Sequence, residues 1–232
     1  MYRRLTQLLA TLTLMCAVAS PSVAGCNDRP APAVDWSGCD KLNRLMARGD
    51  FHGAIMVGAN LTNSDLSGAD LTGANLSNAI LGRTLLSAAI LKRADLTKAM
   101  LERANLRDAD LTAAQLVKAE LHRADLTNAR LIGSNLERAE FGRAMLSNAN
   151  FAGANLRSAY LARVDLRNAR LVDADLRDAE LYLADLRGTD LSQARGLVQA
   201  QLVDTCGDET TRLPSDLTPP QSWPCASPGR EN

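Results

Sequence analysis

From Phe51 to Leu191 every fifth residue is large and apolar, without one insertion or deletion. Of these 29 central positions 25 are Leu, and the others are Phe51, Met56, Phe141 and Phe151. Two residues before each centre stands a small residue, Ala in 23 cases, and the residue immediately before the centre is Asp or Asn in 16. The two residues after the centre vary and are mostly polar, as in Ala69-Asp70-Leu71-Thr72-Gly73. A helix needs apolar spacings of three and four, and a flat strand needs alternation of two. Five residues of α-helix advance about 500°, so successive leucines would spray around the cylinder. In a strand they would fall on opposite faces. The pattern closes only if each pentad is one short side of a continuous coil, with the centre and the small residue pointing inward and the other three positions outward. Stacked coils then satisfy one another's backbone hydrogen bonds, as in other solenoids.

The A(D/N)LXX repeat resembles the pentapeptide-repeat family over about 145 residues. The resemblance implies an all-β solenoid, a right-handed four-sided (quadrilateral) β-helix with one pentad per side. On that basis the 29 pentads make about seven coils and, at ~4.8 Å per strand spacing, a rod roughly 35 Å long.

The rest of the chain divides around this array. Residues 1–24 read as an export signal: Arg3 and Arg4, an apolar run from Leu8 to Ala19, then Pro21 and small residues. The run is too short to favour a permanent membrane span. Ser22-Val23-Ala24 fits a signal-peptidase site, and Val23-Ala24-Gly25-Cys26 also resembles a bacterial lipobox with Cys26 as the lipidated residue. Residues 25–48 are expected to form an N-terminal cap. Trp36 keeps the five-residue register, but Lys41 takes a central position and Arg44 a small-residue position, which predicts irregular or locally helical structure. Trp36, Leu42, Leu45 and Met46 are the candidates to cover the first coil. Residues 49–195 are the array. Residues 196–232 are expected to hold a short helix at 196–205, with Leu197, Ala200 and Val203 facing the last coil, then a proline-rich tail plugged by Trp223. That tail resembles the terminal extension of exported bacterial members of the family.

Beyond Cys16 in the expected export signal, the mature chain would hold Cys26, Cys39, Cys206 and Cys225, all outside the array and two near each end. An even number so placed predicts disulfides Cys26–Cys39 and Cys206–Cys225 in an oxidising compartment. Lipidation of Cys26 would instead leave one cysteine unpaired.

The net charge is zero, and within the array 18 acidic residues face 18 basic ones. Stacking pentads twenty residues apart nevertheless puts Arg83, Arg103, Arg123, Arg143 and Arg163 in one column, with Lys98, Lys118 and Arg138 on the preceding side. At ~5 Å spacing in water each neighbouring pair repels by about 0.8 kcal/mol. Glu102, Glu120, Glu140 and Glu180 are the expected neutralisers of an exposed ion-pair lattice. The other reading is an arginine stripe that grips an anionic partner. Apolar residues replace Asp or Asn at Ile80, Leu85, Ile90 and Met100, either as drift in a tolerant repeat or as a contact patch.

The sequence shows no Gly-rich phosphate loop and no Ser/His/Asp or Cys/His constellation. It also lacks any Cys-x-x-Cys, and His52 and His122 stand apart. Neither an enzyme nor a cofactor or metal protein is expected. The reading is an exported, non-enzymatic β-helical scaffold of the bacterial envelope, periplasmic or secreted, binding an envelope protein or anionic polymer. One alternative is an outer-membrane lipoprotein held by Cys26. Another, implied by the resemblance, is a DNA mimic of the kind by which some cytoplasmic members bind type II topoisomerases. The signal segment, the balanced array and the arginine column depart from that type.

Overall fold

The computed structural model describes residues 25–225; the expected signal segment, 1–24, lies outside the described residues. Bridge and turn alternate with the period of the sequence. From Asp50 to Asp175 each residue before a centre makes a parallel bridge to the residue twenty positions on, as in Asp70↔Ile90, Asn75↔Asp95, Ile80↔Met100 and Leu85↔Asn105, while Asp185 and Asp190 bridge to Cys206 and Arg212. A spacing of twenty means four pentads per turn of coil, hence four sides.

One pentad accounts for all its backbone donors. Leu71 N–H donates to Ile90 O at 2.8 Å, and Gly73 N–H to Lys92 O at 2.8 Å, both in the next coil. Asn75 N–H reaches back to Ala54 O at 2.8 Å, and Ala74 N–H closes the turn on Leu71 O at 3.0 Å. The remaining donor, Thr72 N–H, goes to the side chain of Asp70 at 2.9 Å. That last bond explains the Asp/Asn preference: a short acceptor placed there caps the N–H two residues on. The turn's third residue has positive φ (Gly73, +65°) and its second does not, as in a type II turn.

The interior is filled by the centres and the alanines, nearly all fully buried. Where the small position is Ser or Thr, its hydroxyl donates to a backbone carbonyl, as Thr84 does to Leu61 O (2.9 Å) and Thr189 to Leu166 O (2.7 Å). Gly49 stands where Ala is usual because a Cβ there would come within 2.4 Å of the Phe51 ring. Phe141 and Phe151 meet edge to face at 6.5 Å.

At the N-terminal end the coil geometry reaches below the array. Asp35, Asp40, Leu45 and Asp50 bridge to Ile55, Asn60, Asp65 and Asp70, and residues 35–48 show the bridge-and-turn alternation rather than irregular or helical structure. Lys41 is tolerated at a centre because this coil has no coil beneath it. Its ammonium donates to Cys26 O at 2.6 Å and sits 3.8 Å from the Trp36 ring centroid. Trp36 and Met46 are buried there, whereas Leu42 and Leu45 project outward from the coil wall and are exposed, Leu45 by 90%.

At the other end the helix, α1, is one turn, Gln199–Leu202. Leu197 and Leu202 are the residues turned to the core, while Ala200 and Val203 are exposed. A single turn has too little arc to present the longer face that the spacing predicts. Gln201 ties α1 to the array, donating to Leu176 O (2.9 Å) and Ala179 O (2.7 Å). Trp223 packs against the core and donates its indole N–H to Thr205 O at 2.9 Å. Gly207 is required beneath it, since a Cβ would come 2.4 Å from its ring. The cysteines pair as expected, Cys26 with Cys39 and Cys206 with Cys225, at Cα separations of 5.3 and 5.5 Å.

Candidate anion-binding face

One side of the coil carries the arginine column. It comprises the pentads centred on Leu81, Leu101, Leu121, Phe141 and Leu161, whose backbones stack through Ile80↔Met100↔Glu120↔Glu140↔Tyr160. Arg83, Arg103, Arg123, Arg143 and Arg163 occupy the third turn position, exposed, with φ between +56° and +61°. Left-handed backbone costs a residue with a Cβ roughly 1–2 kcal/mol, and Gly, Asn or Asp are the usual solutions. The geometry aims these side chains outward along a common edge. Lys98, Lys118 and Arg138 hold the same turn position on the preceding side, at φ +57° to +58°.

The expected neutralising lattice is not what the side chains form. Glu102 comes within 3.6 Å of Arg103, but Glu140 is committed to His122, Oε2 to Nε2 at 2.9 Å. Glu120 and Glu180 have no cation within 4.0 Å, and Arg83, Arg123, Arg143 and Arg163 have no carboxylate within that distance, among the described residues. The ion pairs concentrate on the other sides, where Arg or Lys just after a centre meets Asp just before one. Examples are Arg107–Asp125 at 3.0 Å, Lys92–Asp110 at 3.3 Å and Arg187–Asp185 at 2.5 Å. The difference is reach. An Asp before a centre lies beside its neighbour's Arg, whereas the column arginines stand at the far corner of the turn.

In the upper part of this face lies a slot of about 320 Å³ lined by His122, Arg123, Gly142, Arg143, Tyr160, Ala162 and Arg163. Its floor exists because Gly142 has no side chain: a Cβ would stand 2.9 Å from His122 Nδ1 and 3.0 Å from Tyr160 Cε1. The His122 and Tyr160 rings meet edge-on across it, centroids 6.5 Å apart. The column points to the face, but not to this slot. The visible trace was the pair of small residues, Gly142 and Ala162, at successive equivalent positions.

The apolar candidates are not gathered into one surface. Ile80 and Met100 stack on the arginine face, while Leu85 and Ile90 lie on the next two sides. Among the described residues no group of three or more His, Cys, Asp or Glu is placed to hold a metal ion, and no helix is long and apolar enough to cross a membrane.

A four-sided coil of pentads with inward Leu and Ala defines the class of protein. The chain belongs to the pentapeptide-repeat family, whose members form right-handed quadrilateral β-helices: the family model for pentapeptide repeats matches in eight copies, over residues 50–83, 89–128, 124–161 and 159–195. Among solved structures the chain is similar to HetL, a pentapeptide repeat protein involved in heterocyst differentiation regulation from the cyanobacterium Nostoc sp. strain PCC 7120. The two share 29% identity over 77% of this chain and 86% of HetL, with a TM-score of 0.58. It is also similar to QnrB1, a plasmid-mediated fluoroquinolone resistance protein, at 20% identity over 78% of this chain and 90% of that one, with a TM-score of 0.46. No curated protein matches the chain.

Proposed function

We propose that the protein is an exported, non-enzymatic scaffold of the bacterial envelope that holds an anionic partner against its arginine face. In this reading about seven coils of the array form the rod, and the described flanks, residues 25–48 and 196–225, close its ends. The observation that carries the binding role is that, among the described residues, four of the five column arginines have no carboxylate within 4.0 Å, in a chain whose net charge is zero. Surface ion pairs are individually weak, so a column bearing left-handed strain with one ion pair among its five arginines has little to offer stability. Its planar forks suit bidentate binding of carboxylates or phosphates.

The test compares wild type with Arg103→Gln/Arg123→Gln/Arg143→Gln for binding to anionic envelope polysaccharide at low and moderate salt. Loss of salt-sensitive binding with an unchanged melting temperature is expected. Unchanged binding would reduce the column to a solvated surface.

The two cysteine pairs support an oxidising compartment, and a Cys26 thiol joined to Cys39 is not free to carry a thioether-linked lipid. Intact mass of the envelope species is therefore expected to show a chain beginning at Gly25, lighter by four hydrogens than its fully reduced form. An added diacylglyceryl mass would favour the lipoprotein. A full-length cytoplasmic chain retaining Met1 would overturn export and revive the topoisomerase-binding alternative.

A further inference from the structure

The arginine face differs from the other three sides in its backbone as well as its charges. Elsewhere the Asp or Asn before a centre commonly caps the N–H after it, as Asp70 does for Thr72 (2.9 Å), Asn75 for Ser77 (3.0 Å) and Asp95 for Thr97 (2.9 Å). On the arginine face that cap is missing in six successive coils, at Ile80, Met100, Glu120, Glu140, Tyr160 and Glu180. On the other three sides of the array, no two successive coils lack it.

The consequence is sharpest at the slot. Gly142 and Ala162 are buried, yet their N–H groups have no acceptor among the described residues. A backbone donor without a protein partner is left to water or to a ligand. In capped pentads this N–H points at the side-chain oxygen of the residue before the centre, outward over the face. Here the same direction leads into the slot. Two open donors one coil apart, about 4.8 Å, thus lie beside the side chains of Arg143 and Arg163.

We propose that this slot binds a phosphoryl- or sulfuryl-type oxyanion, held by the N–H groups of Gly142 and Ala162 and the guanidiniums of Arg143 and Arg163, with the His122 and Tyr160 rings as its walls. The inference rests on the reading that the arginine face meets an anionic partner, and it locates the anchor point of that partner. Charge-assisted bonds from planar forks and backbone amides are the strong kind for such a group. The nearby carboxylate of Glu140 opposes the anion, but its Oε2 is held by His122 Nε2 at 2.9 Å.

The test is a matched pair of variants of the exported chain, titrated with inorganic phosphate at fixed ionic strength. Glu140→Gln and Glu140→Asn remove the same charge but differ at the backbone. Gln115, in the equivalent position, accepts from Asn135 Nδ2 (3.2 Å) and leaves the Val117 N–H uncapped, whereas Asn135 and Asn155 cap Glu137 (3.3 Å) and Arg157 (3.1 Å). Phosphate should bind Glu140→Gln at least as tightly as wild type, and Glu140→Asn about tenfold more weakly than Glu140→Gln, the value of one hydrogen bond to a charged group. Equal affinities would overturn the proposal.

Gly142→Leu keeps every charge and fills the floor, so it should abolish phosphate binding while its circular dichroism stays that of wild type. Retained binding in a folded Gly142→Leu would also overturn it. Phosphatidylcholine vesicles containing phosphatidic acid separate the sources. Vesicle binding displaced by inorganic phosphate identifies a lipid-borne group, and phosphate binding alone identifies a soluble or polymer-borne one; both support the site. The two readings fail separately. Slot variants that bind phosphate like wild type sink the slot alone, whereas a triple arginine variant that still binds polysaccharide sinks the partner reading.

Discussion

Ala119→Leu is expected to destabilise the protein by about 1–3 kcal/mol or more, because it adds three heavy atoms to a closed interior. Ala119 is fully buried between the similarly buried centres Leu116 and Leu121, and its backbone is fixed on both sides. Ala119 N–H donates to Leu116 O at 3.0 Å, and Ala119 O accepts from Glu140 N–H at 2.9 Å. The coil wall therefore cannot move outward without breaking bonds to its neighbours. The residue before it supplies the control. Lys118 is exposed with φ +57°, so Lys118→Asn places a residue more at ease in that conformation and should leave the melting temperature unchanged or slightly raised. Thermal unfolding of the two variants tests the inward assignment residue by residue. A wild-type melting temperature in Ala119→Leu would contradict it.

That assignment was legible because it rests on a period, and a period survives any local detail. The same holds for the arginine column, since a twenty-residue recurrence stacks side chains whatever their rotamers. Contacts that depend on reach were not legible. Glu120 and Glu140 lie in the right register to meet the column, yet among the described residues one has no cation within 4.0 Å and the other turns to His122. Lys41 at a centre argues for a broken coil only if the ammonium has no exit, and the open end of the solenoid gives it Cys26 O. The end helix failed for a related reason. Once the period stops, Leu197 still turns to the core as the spacing predicts, but the single turn that forms buries Leu202 in place of Ala200 and Val203. The missing caps were present in the sequence as the absence of Asp or Asn at 80, 100, 120, 140, 160 and 180. They acquire meaning only once Asp70 is seen holding the Thr72 amide.

The capping carboxylates also set the expected response to acid. Ser67, through its hydroxyl and backbone N–H, holds Asp65 below its ordinary value, and Ser192 does the same for Asp190. Asp175, buried and bonded to the Arg177 side chain, is lowered from 3.8 to about 2. A carboxylate whose pKa is depressed by folding binds protons more readily in the unfolded chain. Its contribution is therefore fully present above the unfolded value and is lost as pH falls through the folded one. For Asp175 that window runs from about 3.8 down to about 2. The melting temperature is expected to be flat near neutrality and to fall steeply below about pH 4, as several such carboxylates protonate together. Asp175→Asn isolates one of them. Its amide oxygen can still cap the Arg177 N–H, as Asn155 does for Arg157 at 3.1 Å, so the turn survives and only the charge pairing is lost. Because Arg177 is half exposed, that pairing is screened and its contribution at neutral pH is modest. The unfolding curves of Asp175→Asn and wild type should therefore be separated at pH 7 and converge toward pH 2. A gap that stays constant across that range would mean that Asp175 acts through its shape alone, and that its bond to Arg177 contributes nothing to the fold.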